Sequence, residues 1–373
     1  MTKKIPFFNY ADLYKKNVNA YREIFNDVCS RGAFIMQKDL KKFEKNLEKF
    51  LKVKYAIGVA DGTNAIINGL LACGVKPGDE VIIASHTYIA TAAAIKLVGA
   101  KPIFADIGDD FLICPNSVES QITIKTKAVM PTQLNGRCCD MTKILKLAKK
   151  HNIDVYEDSA QALGAKFKNK HAGTFGIFGT SSFYPAKLLG SFGDGGAIYT
   201  NKEKIYRKCK LFRDHGRDSR GIVVDWGTNS RLDNLQAAFL DFKLKNFKNN
   251  IKRRRQIAKM YNNAFKDIEN LYLPPGPNSG DHFDVYQNYE LAAENRDKLR
   301  NFLFSKNIST VIQWNGTPVH QFKKLGFKPS ENKHLKKTDW FFKRCLMIPM
   351  NISLTDTQIN QIIDCIRGFY KKK

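Results

Sequence analysis

Ser181-Ser182-Phe183-Tyr184-Pro185-Ala186-Lys187, followed by Gly190 and Gly193-Asp194-Gly195-Gly196, sets one lysine behind a short strand and a proline turn, among glycines. Glycine has no Cβ, so the backbone here can approach a ligand closely. A lysine in an ordinary loop is a solvated surface residue. One placed between a buried strand, read over 179–184, and a glycine-rich turn is positioned to react. A further strand, 196–200, closes the segment.

Outward from this point the chain alternates. Residues 37–51 place Leu40, Phe43, Leu47 and Phe50 at helical spacing, with lysines and glutamates between them, which predicts an amphipathic helix. Strands over 55–60, 80–84, 101–106, 127–131 and 154–157 are interleaved with helices over 64–73, 90–98 and 142–151. Short apolar strands alternating with helices predict an α/β fold, a mostly parallel central sheet flanked by helices on both faces. Beyond residue 200 the texture changes. Residues 231–266 read as one long helix rich in Lys, Arg and Asn, in which the run 252–255 is a solvated face. Residues 285–292 are strand-like, 296–306 helical, 346–348 apolar and 355–370 helical. The expected division is a large domain over 1–250, N-terminal segment included, and a smaller C-terminal α+β domain over 251–373, consistent with roughly 150 residues per domain.

The chain has 373 residues, 43% of them hydrophobic, and a net charge of +26 from 61 Lys+Arg against 35 Asp+Glu. That apolar fraction supports a packed core and excludes a disordered chain. The charge raises the question of a nucleic-acid partner. The basic residues are spread along the chain and mixed with acidic ones, without a helix-turn-helix signature, so none is expected. Eight cysteines show no Cys-x-x-Cys spacing, which argues against structural zinc, and no metal site is expected. Adjacent Cys138 and Cys139 are poorly placed for a disulfide, so free thiols in a reducing compartment follow. Met1–Tyr10 lacks the apolar run of a signal peptide, and no stretch approaches the ~18 apolar residues of a membrane span. A cytoplasmic protein with no membrane partner is the expectation.

Two more segments bear on chemistry. Val155-Tyr156-Glu157-Asp158-Ser159-Ala160-Gln161 ends an apolar strand on a carboxylate, which either caps the next helix or pairs with a cation. Ala60-Asp61-Gly62-Thr63-Asn64-Ala65 joins a strand to a helix, where backbone N–H groups and the Thr63 hydroxyl suit a phosphate. Lys187, Asp158 and this cradle together answer the needs of pyridoxal phosphate: a lysine for the Schiff base, an acid at the pyridine nitrogen and an anion site.

At this point the chain resembles the sugar aminotransferases of the DegT/DnrJ/StrS family, within the fold-type-I pyridoxal-phosphate enzymes. The resemblance covers nearly the whole chain and is carried by four segments in order. They are 61–66 with Pro77-Gly78-Asp79-Glu80-Val81, Glu157-Asp158-Ser159-Ala160-Gln161, Ser182–Lys187 through Gly193–Gly196, and Thr228-Asn229-Ser230-Arg231-Leu232-Asp233. The resemblance implies a fold-type-I transferase in which Lys187 carries the cofactor as a Schiff base and acts as catalyst. It implies that Asp158 pairs with the pyridinium nitrogen and Gln161 approaches the ring hydroxyl, unless Gln161 is a helix-face amide. Gly62, Thr63 and Ser182 would bind the phosphate. Tyr88, in Ser85-His86-Thr87-Tyr88, would stack on the ring, its other reading being a core residue. Asn229 would reach the phosphate in the neighbouring subunit, making the active unit a homodimer with shared sites.

Candidate substrate residues are His86, Arg231, Trp314 and His320. His86 is equally a packing residue and Arg231 equally a structural arginine, and His215 reads as structural. The segment 312–320 keeps a Pro-Val-His ending behind an unusual front half. The implied reaction moves an amino group from L-glutamate to a nucleotide-linked keto-sugar, with pyridoxamine 5′-phosphate as the form between half-reactions. The product would be a nucleotide-linked amino-sugar for a surface glycan such as lipopolysaccharide O-antigen. Some relatives are sugar dehydratases with histidine at the lysine position. Lys187 favours transamination, and a dehydratase or a non-catalytic relative on the same fold is the alternative.

Overall fold

The computed structural model describes residues 4–277 and 279–371. Seven strands, β1 (Tyr55–Val59), β2 (Glu80–Ala84), β3 (Lys101–Ala105), β4 (Thr126–Val129), β5 (Asp154–Asp158), β6 (Phe178–Ser182) and β7 (Gly196–Thr200), form one sheet in the order β1-β7-β6-β5-β4-β2-β3. The pairs from β6 to β3 are parallel, and β7 runs antiparallel to both β1 and β6. The carboxyl ends of β1, β2, β4, β5 and β6 therefore share one edge, the edge where open α/β sheets bind ligands.

Successive residues of each strand serve opposite faces, and both faces are apolar. Ile82, Val129 and Val155 join the core with Leu40, Phe43 and Leu47 of the helix Lys38–Leu51. Val81, Ile83, Ala128 and Tyr156 join the core with Leu70 of the helix Gly62–Ala72. This double burial is why the strands read as continuous apolar runs.

The long helix expected over 231–266 is two helices, Asn234–Lys245 and Phe247–Phe265, broken at Asn246. Residues 231–233 are not helical, and Asp233 forms a bridge with Ile35. The break lets the second helix serve two cores: Phe247 and Ile251 pack with the sheet, while Ile257, Tyr261 and Phe265 pack against the C-terminal layer. That layer holds an antiparallel sheet of β8 (Leu271–Tyr272), β9 (Tyr289–Ala293) and β10 (Cys345–Ile348), in that order, flanked by helices Arg296–Ser305 and Asp356–Lys371. The strand-like stretch 285–292 starts later than expected, because Tyr286 adopts a positive φ of 51°. Residues 5–7 join this layer, with Ile5 bridging Ile308 and Asn351 donating to the carbonyls of Pro6 and Phe7, while Tyr21 of the helix Val18–Ser30 packs against Phe239 and Phe242.

Of the basic run 252–255, Lys252 is solvated as expected, whereas the three arginines are not. Arg254 Nη1 donates to the carbonyls of Tyr286, Gln287 and Met350, and burial pulls its pKa down to about 10. Arg253 pairs with Asp356, and the Arg255 guanidinium lies 4.0 Å from the Phe283 ring centroid. All eight cysteines are free thiols. No helix among the described residues is long and apolar enough to cross a membrane.

Glu157, on β5, is fully buried and accepts from Gln133 Nε2 (2.8 Å) and from the N–H groups of Gly173 (2.8 Å), Phe175 (2.6 Å) and Gly176 (2.8 Å). It pins the connection that leads into β6. Glu157→Ala strands four donors and should cost about 3 kcal/mol or more, read as a lowered urea midpoint.

Candidate active site

Each chemical residue sits at the shared carboxyl edge because its strand ends there. Asp158 closes β5, is 4% exposed, and accepts the Ala160 N–H on Oδ1 (3.1 Å) and the Thr91 hydroxyl on Oδ2 (2.7 Å). Thr91 Oγ1 lies 2.7 Å from Thr87 Oγ1, which lies 2.9 Å from Thr132 Oγ1. Since Thr91 spends its proton on Asp158, Thr87 must donate to Thr91 and Thr132 to Thr87. The relay fixes the carboxylate's orientation with three buried hydroxyls aligned toward it. It draws on β2's following loop, on the helix Ile89–Leu97 and on the end of β4, so no single sequence segment displays it.

Lys187 follows β6 in a turn held by its own N–H bond to Tyr184 O (2.8 Å). Gln287, from the C-terminal half of the chain, grips the turn on both sides of the lysine. Its Oε1 accepts the Leu188 N–H (2.7 Å) and its Nε2 donates to Ala186 O (2.6 Å). Burial disfavours the ammonium, and the charge of Asp158 opposes that only in part, so the Lys187 pKa falls to about 8. A substantial fraction of the amine is thus neutral, and nucleophilic, near neutral pH.

The turn expected to hold an anion ends in a capped helix N-terminus. Asp61 caps the helix Gly62–Ala72 by accepting the Asn64 N–H on Oδ1 (2.8 Å), leaving the first N–H groups of the helix available to an anion. A Cβ on Gly62 would lie 2.9 Å from Ser182 Cβ, and one on Gly196 would lie 2.3 Å from Asp61 O. Both glycines are needed for the turn to lie against the ends of β6 and β7. Tyr88 precedes helix Ile89–Leu97 with its ring 55% exposed, so it is not core, and its face is open to a planar ligand.

Gln161 Oε1 accepts the Asn135 N–H (3.0 Å), which turns the amide's Nε2 away as a donor. Asn135, at φ 53°, is itself held by Glu290 Oε2 (2.6 Å) and by Asn288 Nδ2 (2.8 Å). The arrangement fits pyridoxal phosphate: a reactive amine, a fixed carboxylate, an anion cradle, an exposed ring and a directed amide converge on one sheet edge.

The four substrate candidates separate. His86 is 1% exposed, with Nδ1 bonded to Phe111 O (2.8 Å), Nε2 3.3 Å from Glu290 Oε2, and Phe341 and Phe342 against its ring. It packs, with Nδ1 satisfied and Nε2 buried beside Glu290 without a hydrogen bond. His320 is likewise engaged, between Ser85 Oγ (2.7 Å) and Asp339 Oδ1 (3.0 Å). Arg231 donates to Asp214, which also receives Arg217. Trp314 remains: partly exposed, at a left-handed φ of 47°, its ring 6.2 Å from that of Tyr88. His215, at φ 55°, shapes the turn that brings Asp214 opposite Asn229, and Asn229 itself faces solvent away from contacts with Lys187.

Residues 16–367 match the model of the DegT/DnrJ/EryC1/StrS aminotransferase family. The chain is 35% identical to a "Pleiotropic regulatory protein" of Geobacillus stearothermophilus over 98% of its own length and 99% of the relative's. It is 30% identical to dTDP-3-amino-3,4,6-trideoxy-alpha-D-glucose transaminase of Streptomyces venezuelae, over 100% of this chain and 97% of that one. The crystal structure of S. venezuelae DesV in complex with a ketimine intermediate superposes with a TM-score of 0.93 at 30% identity, covering 99% of both chains. The chain belongs to the DegT/DnrJ/EryC1/StrS aminotransferase family and is a sugar aminotransferase whose cofactor is pyridoxal 5′-phosphate.

Two outcomes follow from this geometry. Uptake of pyridoxal phosphate by the apoprotein, followed by visible absorption, should rise with pH and level off above about 8, because the neutral amine is the reactive form. Thr91→Val should cut turnover about tenfold and shift the absorption maximum of the loaded enzyme, since Asp158 loses its orienting hydroxyl.

Proposed function

We propose that this enzyme transfers the amino group of L-glutamate to the keto carbon of a nucleotide-linked sugar, in two half-reactions at one site. The observation that carries the reading is the Lys187 amine, lowered to about 8 and clamped by Gln287 opposite a fixed Asp158. When bound, the cofactor supplies an electron sink for the carbon that loses its proton. Lys187 Nζ would take the proton from the donor's Cα and deliver it to the cofactor carbon that keeps the amino group. Asp158 would hold the pyridine nitrogen, Gln161 Nε2 would donate to the ring hydroxyl, Tyr88 would cover the ring face, and Gly62, Thr63 and Ser182 would hold the phosphate. Trp314, beside Tyr88, shapes the sugar pocket. A keto-sugar then accepts nitrogen by the same steps in reverse, which predicts ping-pong kinetics.

The active unit in this reading is a homodimer. The hairpin between Asp214 and Asn229 leaves Ile222, Val223, Val224 and Trp226 exposed, Trp226 at 88%, an apolar surface suited to a second copy. It would carry Asn229 to the partner's cofactor phosphate. A nucleotide-sugar substrate fits a cytoplasmic enzyme, its product feeding a surface glycan such as lipopolysaccharide O-antigen.

Incubation with glutamate and UDP-, GDP- or dTDP-linked keto-sugars, read by mass spectrometry, should show nitrogen incorporated from one of them. Loss of water without nitrogen would instead identify a dehydratase. Lys187→Ala should abolish product and the lysine-bound absorption band. Mixing inactive Lys187→Ala with impaired Asn229→Ala should recover activity, because a mixed dimer contains one site with both native residues; no recovery would place Asn229 in its own subunit's structure only.

A further inference from the structure

Glu290, on β9, is 2% exposed and makes a single hydrogen bond among the described residues, accepting from Asn135 Nδ2 on Oε2 (2.6 Å). Its Oε1 has no hydrogen-bond partner there, and His86 Nε2 lies 3.3 Å from Oε2 without a hydrogen bond. A buried carboxylate so sparsely bonded costs stability, whereas a well-packed apolar side chain in its place would not. Its one bond leads toward the edge of the sheet where Asp158 and Gln161 stand.

The chemistry of each contact fixes the direction of the next. A carboxylate only accepts, so it takes the NH2 end of the Asn135 amide and turns Oδ1 toward Asn288 Nδ2, which donates to it at 2.8 Å. Two residues of one strand region thus hold both ends of this side chain, on a backbone at φ 53° and ψ 17°. The Asn135 N–H can only donate, and it meets Gln161 Oε1 at 3.0 Å. The two ends of the Gln161 amide are alike in shape and differ in hydrogen-bonding sense. With the amide reversed, Nε2 would face the Asn135 N–H, donor against donor, and the outer end would accept instead of donate. As placed, Nε2 has no acceptor among the described residues, and the side chain is half-buried.

Resting on the cofactor placement in the functional reading above, we infer that Glu290 is a positioning residue of the active site: through Asn135 it fixes the Gln161 amide with Nε2 as the donor to the cofactor's ring hydroxyl. Glu290 itself touches no reacting atom. In pyridoxal phosphate that hydroxyl neighbours the carbon that joins the lysine nitrogen. A hydrogen bond donated to its oxygen stabilises the oxygen's anion and competes with the proton on the nitrogen, which lowers the pH at which that proton leaves. The sense in which Gln161 faces the ring is therefore readable in the absorption of the loaded enzyme as pH is varied. A Glu290 that merely supported β9 would leave that titration untouched.

A pH titration of the visible absorption of the cofactor-loaded enzyme tests this. Glu290→Leu should raise the midpoint by about one pH unit. Glu290→Gln still offers Asn135 an acceptor and should restore most of the wild-type midpoint. Asn135→Gly keeps the donor N–H and suits the left-handed backbone, but it loses the tether to Glu290. It should shift the midpoint in the same direction, and it decides the matter should Glu290→Leu fail to fold. Added to Gln161→Leu, either change should move the midpoint no further, because the residues act in series. An unchanged midpoint in loaded Glu290→Leu and Asn135→Gly, or full additivity with Gln161→Leu, overturns the assignment of Glu290 alone. If Gln161→Leu by itself leaves the midpoint at its wild-type value, Gln161 does not meet the ring hydroxyl, and the cofactor placement falls with it.

Discussion

A partly buried lysine amine near a fixed carboxylate is the constraint around which the rest is arranged. Charge taken from water is costly, and here the cost appears as a Lys187 pKa near 8 rather than 10.5. The amine would relax toward solvent if its turn were free to move. Gln287 prevents this by bonding the peptide groups on either side of the lysine. Gln287 is held in turn, since Arg254 gathers its carbonyl with those of Tyr286 and Met350. The N-terminal half of the chain thus supplies the reactive group, and the C-terminal half supplies its rigidity.

The same division holds on the other side of the site. Asp158 receives its orienting hydroxyl from Thr91, itself held by Thr87 on the carboxyl side of β2, while Gln161 is set by Asn135. Asn135 adopts a left-handed backbone, and Glu290 and Asn288, in and beside β9, hold its side chain there. His86 belongs to this support. Its ring fills the space between Glu290 and the aromatic pair Phe341 and Phe342, one step from the candidate cofactor edge.

Much of the site was legible in sequence wherever function is compressed into a few consecutive residues. Lys187 behind its strand, Asp158 at the end of another and Gly62-Thr63 at a helix start are local patterns, and local patterns have local causes. The strand–helix alternation was equally legible, because double burial makes every residue of a parallel strand apolar. Less legible were residues whose role depends on a distant partner. Thr91 reads as one more small residue in an alanine-rich helix, and Gln287 as one polar residue within a strand-like stretch. The arginines of the run 252–255 looked solvated because helical periodicity records charge but not the carbonyls and rings brought against it. The helix over 231–266 looked continuous because its composition stays helical across Asn246, where the chain turns to serve a second core.

By itself, then, the sequence determined the class of fold, the reactive lysine, the acid opposite it and the cradle for a phosphate, because each is written in contiguous residues obeying short-range rules. Only the tertiary structure decided how far the amine is lowered and which histidines and arginines are already engaged. Those properties are set by burial and by hydrogen bonds between segments about a hundred residues or more apart, such as Leu188 to Gln287. Electrostatic energies of buried groups depend on what surrounds them in space, and neighbours in space are not neighbours in the chain.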